Sequence, residues 1–183
     1  MIPSVREASS FPNLCIIEIP LDISYLFIQS KDCILVIKMN VNIYDTLPDE
    51  AAEIRRNVFV EEQGFHNEFD EIDKHAKHIV LYHNNFPVAT CRFFEDETAG
   101  NHCIGRIAVI KQYRGKNLGS LLLKCAETEI EKNGGKCAFL HAQTGAIKFY
   151  EKNGYVKYGE MDFDESCPHF WMRKILRERK RRI

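Results

Sequence analysis

The chain has little that would mark it for export, for a membrane or for a metal. Its seven cysteines are scattered, odd in number and without a C-x-x-C pair, which predicts reduced thiols in a cytoplasmic protein rather than a disulfide framework. Cys91, Cys103, Cys125 and Cys137 sit in apolar runs and read as small core residues, with nothing nearby to activate a thiolate. An uninterrupted span of about 20 apolar residues, the length a membrane helix needs, is missing. The most apolar stretch, Leu14 to Met39, is broken by Glu18, Asp22, Lys31 and Asp32, and it lacks the basic start and cleavage site of a signal peptide. No histidine pair has the helical spacing of H-E-x-x-H, so no metal is expected. The formal net charge is -1, so no global field draws the protein to nucleic acid or to a membrane. Internal repeats and low-complexity segments are absent as well.

What is present suffices for one core: 183 residues, 45% of them hydrophobic, in the size range of a single domain. The most informative stretch runs from Ile107 to Tyr155. Ile104 to Ile110 reads as a strand that enters a basic, glycine-containing turn. Leu118, Leu121, Leu122, Cys125, Ala126 and Ile130 then share one face at a 3.6-residue period, with Lys124, Glu127, Glu131 and Lys132 mostly opposite. Asn133-Gly134-Gly135 ends this helix in left-handed fashion, and Cys137 to Ala142 reads as a buried strand. Strand, helix and strand predict a crossover unit in an α/β sheet. A helix that opens at such a turn leaves its first N–H groups unpaired, with the positive end of its dipole behind them. That arrangement binds phosphate.

Two familiar phosphate loops do not fit. A Walker A loop needs four residues before a Gly-Lys-Ser/Thr triplet, and a Rossmann turn needs three glycines; this turn offers only Gly115 and Gly119. Arg114-Gly115-Lys116-Asn117-Leu118-Gly119 instead resembles the acetyl-CoA pyrophosphate loop of the GNAT N-acetyltransferases, written Q/R-x-x-G-x-G/A. Phe149-Tyr150 followed by Gly154-Tyr155 resembles the second signature of that superfamily. Arg55 to Gly64, Asp73 and His78 look like the front half of its small bacterial branch that includes YjcF and ElaA. Leu140 to Gln143 and Pro168 to Met172 look like the back half. The resemblance covers roughly residues 39–176. Asn117 stands where the family commonly has glycine. Asparagine keeps the backbone donor and is a good helix N-cap.

The resemblance implies a GNAT fold, a mixed and mainly antiparallel twisted sheet flanked by helices, with a V-shaped splay beside the strand before the phosphate loop. It implies acetyl-CoA as co-substrate, without a metal, and transfer of the acetyl group to a primary amine of a small molecule or peptide by direct attack in a ternary complex. Ile107, Ala108 and Val109 would bind the pantetheine arm through backbone hydrogen bonds and stabilise the oxyanion. Arg114, Gly115, Lys116, Asn117, Leu118, Gly119 and Ser120 would hold the pyrophosphate. Gln143 stands where the family often has an asparagine touching the cofactor, and Tyr150 where a tyrosine protonates the leaving sulfur. Glu62, His141 and His169 are the candidates for the base. A homodimer is the assembly it leaves open.

Outside these motifs, Pro48 to Gln63 reads as helical, with Leu47, Ala51, Ile54 and Val58 on one face. Glu62, four residues after Val58, brings a carboxylate close to that stripe, either to pair with Arg55 or Arg56 or to face the amine. His78 to His83 and Phe86 to Phe94 read as a hairpin turning at Asn84-Asn85. Residues 1–38 precede the family-like domain. They read either as an extra strand-forming arm or as the product of an upstream start in place of Met39. Residues 177–183 continue a basic run that begins at Arg173, a solvated end or a patch for an acidic partner. Two other functions stay open at this point: an acyl-CoA sensor without turnover, and an RNA- or ribosome-associated protein that works through the tail.

Overall fold

A computed structural model describes residues 16–17, 23–30, 33–96 and 101–176, with side chains from Met39 onward. Among these residues nine strands form one sheet. They are β1 (Ile16–Ile17), β2 (Ile23–Ser30), β3 (Cys33–Tyr44), β4 (Lys77–His83), β5 (Phe86–Asp96), β6 (Asn101–Val109), β7 (Cys137–Gln143), β8 (Val156–Asp164) and β9 (Cys167–Ile175). Three α-helices flank it: α1 (Asp49–Arg55), α2 (Leu118–Lys132) and α3 (Ile147–Lys152). The strand order is β1-β2-β3-β4-β5-β6-β7-β9-β8. All neighbours are antiparallel except β6 and β7, which α2 joins as the expected crossover. Strands β3 to β9 and the helices make the mixed, mainly antiparallel sheet flanked by helices that the sequence resemblance implies.

The local reasons for these elements are ordinary ones. Asn84 and Asn85 take positive φ of 50° and 65°, as a two-residue hairpin turn requires, and asparagine tolerates that region best after glycine. Helix α2 buries Leu118, Leu121, Leu122, Leu123, Ala126 and Ile130 against the sheet. Leu122 and Leu123 are at most 1% exposed, and truncating either to alanine costs about 2–5 kcal/mol. The helix stops where Gly134 turns left-handed at φ 87° and the Gly135 N–H reaches back to the Ile130 carbonyl. Glu127 departs from the expected polar face. It is buried, and Lys174 on β9 meets both its oxygens at 2.7 and 2.8 Å. Lys174 and Arg173 therefore belong to a strand, and the rest of the basic run lies outside the described residues.

The segment after α1 differs from a regular helix. Residues Arg56–Glu61 form a π-helical turn, which inserts one residue per turn and shifts everything after it around the axis. Ala51, Ile54 and Val58 keep the buried stripe, but Glu62 does not stay above it.

Strand β3 runs through Met39, where the family-like domain was expected to begin. Its first part pairs with β2, from Ser30↔Cys33 to Ile23↔Asn40. Its last part pairs with β4, from Met39↔His83 to Tyr44↔His78. Removal of residues 1–38 leaves every described β3–β4 pair in place. The shortened chain is expected to unfold cooperatively and to bind acetyl-CoA with parental affinity, as thermal melts with and without ligand would read. Loss of a cooperative transition would show that the β2–β3 pairing is integral to the domain.

Candidate active site

The sheet opens between β6 and β7. These strands pair only at His102↔Ala138 and Cys103↔Phe139, and both then continue, β6 to Val109 and β7 to Gln143. Beyond Cys103 the two edges diverge, and the facing backbone groups of β6 have no strand partner. Buried or half-buried backbone donors demand partners, so the gap is a ready-made slot for an extended, amide-bearing ligand.

On its other side β6 pairs with β5, but not evenly. Thr90 faces Ala108 and Arg92 faces Gly105, so Arg106 and Ile107 together oppose Cys91. Arg106 sits at this bulge with φ 53°, a left-handed conformation costing a non-glycine residue roughly 1–2 kcal/mol.

At the end of β6 lies the glycine-containing turn. Gly115 has φ 74° with open space around it, so glycine is needed there for the backbone alone. Asn117 precedes α2 at φ 59°. This corrects the expected capping role: the Asn117 side chain makes no capping hydrogen bond, and its fitness lies in tolerating the left-handed region where the family has glycine. Gly119 has a third reason. A Cβ there would lie 3.0 Å from Phe149 Cζ, so the two signature motifs pack directly on each other. Arg114 donates from Nε to the Val109 carbonyl at 2.9 Å, and its guanidinium pairs with Glu62 at 2.8 Å. Lys116 Nζ stands 4.5 Å over the Tyr113 ring, and Leu118 and Ser120 open the first turn of α2.

A cavity of about 210 Å³ lies at the seam. Ile107, His141, Gln143 and Tyr150 border it, as do Arg106 and Glu68. Tyr150 reaches it from α3, and burial pushes its phenol well above the usual tyrosine range, so the group stays protonated. Gln143 donates from Nε2 to Gln63 Oε1 at 2.8 Å, tying the end of β7 to the segment after α1.

His141 is sandwiched between His169 (4.5 Å between centroids, 27°) and Trp171 (4.8 Å, 24°). Its Nε2 lies 2.5 Å from Asp162 Oδ1, and the same hydrogen bond holds the Asp162 carboxyl below its ordinary value. An ionised carboxylate only accepts, so His141 Nε2 carries the hydrogen, and in the neutral ring Nδ1 keeps the lone pair. By the same logic His169 Nδ1, 2.9 Å from the Cys167 carbonyl, is the protonated nitrogen of its ring. Candidate ligand atoms of His141, Asp164 and His169 lie within 4.8 Å of one another. A metal must lie near the plane of each imidazole it binds, and rings stacked at this separation share no such point within bonding distance.

Glu62 is not brought to this cavity. The π-turn swings it towards the glycine-containing loop, where its partner is Arg114 rather than Arg55 or Arg56, and it borders a separate depression with Asn57 and Tyr113. Arg55 is committed elsewhere. It is 1% exposed and bonds Glu68 through Nε (2.7 Å) and Asp73 through both terminal nitrogens (2.6 and 2.9 Å). Arg92 adds bonds to Asp70 (2.6 and 2.7 Å) and to Asp73 (2.8 Å). Burial pulls the Asp73 carboxyl up, but hydrogen bonds from Arg55 and Arg92 outweigh it and hold it well below the usual range. Glu68 goes the other way, because its burial outweighs Arg106, Arg55 and Arg92. The sequence held a signal for this cluster: Arg55 lies four residues after Ala51, on the buried side of α1.

Cys91, Cys103, Cys125 and Cys137 all have thiols pushed up by burial, consistent with packing residues. No helix among the described residues is long and apolar enough to cross a membrane.

Comparison with known proteins agrees with this geometry. Residues 43–176 match the model of the acetyltransferase (GNAT) domain. The chain is 34% identical over 128 residues to the uncharacterized N-acetyltransferase YjcF of Bacillus subtilis, covering 68% of this chain and 90% of that one. The crystal structure of Escherichia coli ElaA superposes with a TM-score of 0.66 at 25% identity, covering 74% of this chain and 99% of that one. An aminoglycoside 6'-N-acetyltransferase complexed with coenzyme A shares the fold, with a TM-score of 0.62 at 16% identity over 76% of this chain and 98% of that one.

The two glycines of the loop give separable outcomes. Gly119→Val drives a branched side chain into Phe149 and is expected to abolish the rise in thermal midpoint that acetyl-CoA gives by mass action. Gly115→Ala, which meets no atom, is expected to lower the unliganded midpoint modestly and to keep a ligand-induced rise. An undiminished rise in Gly119→Val would mean the phosphate site lies elsewhere.

Proposed function

This chain is an acetyltransferase of the GNAT family, and we propose that it transfers the acetyl group of acetyl-CoA to a primary amine of a small molecule or peptide within a ternary complex. The observation that carries this reading is the open seam. One end of it meets the start of α2 at the phosphate loop, and the other meets a cavity bordered by Tyr150 and His141. A pantetheine arm is extended and carries amides, so it suits the unpaired edge of β6 at Ile107–Val109. Its pyrophosphate suits the loop from Arg114 to Ser120, where N–H groups and the helix dipole converge. Phosphate binding there would compete with Glu62 for Arg114, which gives Glu62 a place in cofactor exchange rather than in proton transfer.

The chemistry follows in balanced steps. An amine with a pKa near 10 arrives mostly as ammonium and gives one proton to His141 Nδ1, directly or through water. Asp162 holds the ring from the far side, and His169 and Trp171 fix its plane. The neutral amine attacks the thioester carbonyl, whose oxygen is stabilised by β6 amides. The C–N bond forms, the C–S bond breaks, and Tyr150 donates its proton to the leaving thiolate; the second proton of the amine nitrogen passes to the Tyr150 phenolate, and the proton held by His141 leaves to solvent. A phenol kept protonated by burial suits that role. His169 is a supporting ring in this scheme, because His141 borders the cavity while His169 stacks behind it. The cytoplasm, where acetyl-CoA and reduced thiols coexist, is the compartment that fits.

A silent acyl-CoA sensor would need the slot but not the cavity with an acid and a base on its walls. Release of CoA on incubation with acetyl-CoA and a panel of amines tests the difference; binding without release for every amine would favour the sensor. For the acid, Tyr150→Phe is expected to lower kcat by about 10²–10⁴-fold with acetyl-CoA affinity little changed. The deficit should shrink with thioesters of more acidic thiols, which need less protonation to leave. Near-normal turnover in that variant would leave Tyr150 as a packing residue.

A further inference from the structure

The motif from Arg55 to His78 supplies no group to the transfer just described, yet it is among the most deeply buried polar parts of the molecule. Its purpose is legible at Arg106. That residue occupies the bulge of β6 in a left-handed conformation, with a glycine, Gly105, immediately beside it in the chain. Glycine at 106 would remove the backbone strain. An arginine there is worth having only for its side chain.

The Arg106 guanidinium reaches back to the segment before β4. Its Nε donates to the Glu68 carbonyl at 3.1 Å and pairs with Glu68 Oε2 at 3.1 Å, and its Nη2 stands 3.4 Å from Asp70 Oδ2. Glu68 and Asp70 are themselves immobilised. Arg55 holds Glu68 by its other oxygen and by its carbonyl, at 2.7 and 2.9 Å. Arg92 holds Asp70 with two bonds and shares Asp73 with Arg55. His78, fully buried on β4, contacts the Asp73 carbonyl at 3.2 Å. Three guanidinium groups and three carboxylates thus alternate in one network that ends on the bulge. A buried ion network is a poor source of stability, since desolvation offsets much of the attraction, but it is a strong source of fixed geometry.

We propose that Arg106 is a positioning residue for acyl transfer: clamped by Glu68 and Asp70, it holds the β6 bulge so that the strand's free amides meet the thioester oxygen. The Arg55–Glu68–Asp73–Arg92 cluster is the anchor of that clamp. This inference rests on the acetyl-CoA reading given above. The clamp also explains the sign of the strain. The unfavourable backbone at Arg106 persists because the side chain is overdetermined by fixed partners.

Arg106→Gly tests it directly, because glycine accepts the same φ while removing the guanidinium. Acetyl-CoA KM is expected to stay within about threefold, while kcat falls by about 10²-fold, the cost of misplacing reacting groups by about an ångström. Amide hydrogen exchange in the peptide covering Gly105–Val109 is expected to speed up by at least about tenfold, as local opening becomes easier. With ¹³C-carbonyl acetyl-CoA, the infrared red shift of the bound thioester should shrink in Arg106→Gly and partly return in Arg106→Lys, which keeps the charge without the fork. Asp70→Asn, at the more exposed end of the network, should move all readouts in the same direction by less. Parental kcat, parental exchange in this peptide and a parental carbonyl band in Arg106→Gly would overturn the proposal. The exchange arm reads the clamp without turnover. A parent that releases no CoA therefore contradicts the acetyl-transfer reading alone, and unchanged exchange in Arg106→Gly contradicts the clamp alone.

Discussion

Everything distinctive about this molecule depends on two strands that stop pairing. β6 and β7 share two register positions and then part, so a run of backbone donors and acceptors in the middle of the sheet faces no strand. Such groups are expensive to bury unmatched, and folding normally removes them. Here they are retained beside the start of a helix whose own first N–H groups are also unmatched. An extended ligand with amides at one end and pyrophosphate at the other satisfies both sets together. The crossover helix α2 contributes twice, by linking β6 to β7 while its leucine face packs on the sheet and, in the proposed reading, by offering its N-terminus to the pyrophosphate.

An open seam has to be held open. Several features serve that end with different physics. Phe149 packs against Gly119, so the second signature motif braces the first turn of α2. Gln143 bonds Gln63 across the mouth of the gap. Arg114 ties the glycine-containing loop to the end of β6 and, through Glu62, to the π-turn. Beneath them the buried arginine–carboxylate network fixes the segment before β4 against the bulge. These polar braces contribute little net stability. The core clusters of Leu122, Leu123, Ile104, Leu140 and Met172 supply that, and the braces select one arrangement of strands over its neighbours.

The fold was legible in the sequence where the signals are local. The 3.6-residue stripe of α2, the Asn-Gly-Gly stop, the paired asparagines of the β4–β5 turn and the glycine-containing loop all rest on short-range backbone rules, and the structure follows them. The interior of the site was less legible, because its determinants are long-range. Glu62 looked like a residue beside the apolar stripe, and only the π-turn, one extra residue in a helix, moves it to Arg114. Arg55 read as a possible partner of Glu62, whereas its carboxylates come from 13 and 18 residues away. Asn117 looked like a cap by composition but serves through its backbone. Asp162 drew no attention, although it pairs with His169 on the neighbouring strand, because strand β8 carries a register shift that periodicity alone does not reveal. Gly119 was marked for its motif, yet its constraint comes from an aromatic ring 30 residues on.

The central claim is that acetyl-CoA lies along the unpaired edge of β6. The most direct measurement is an amide-resolved NMR titration of the protein with acetyl-CoA. The account predicts its largest shift changes at Ile107, Ala108 and Val109 and through Arg114 to Ser120, with smaller ones at Gln143 and Tyr150 and little change on β3. Saturable binding that left the β6 amides unmoved, with changes confined to another face, would contradict it.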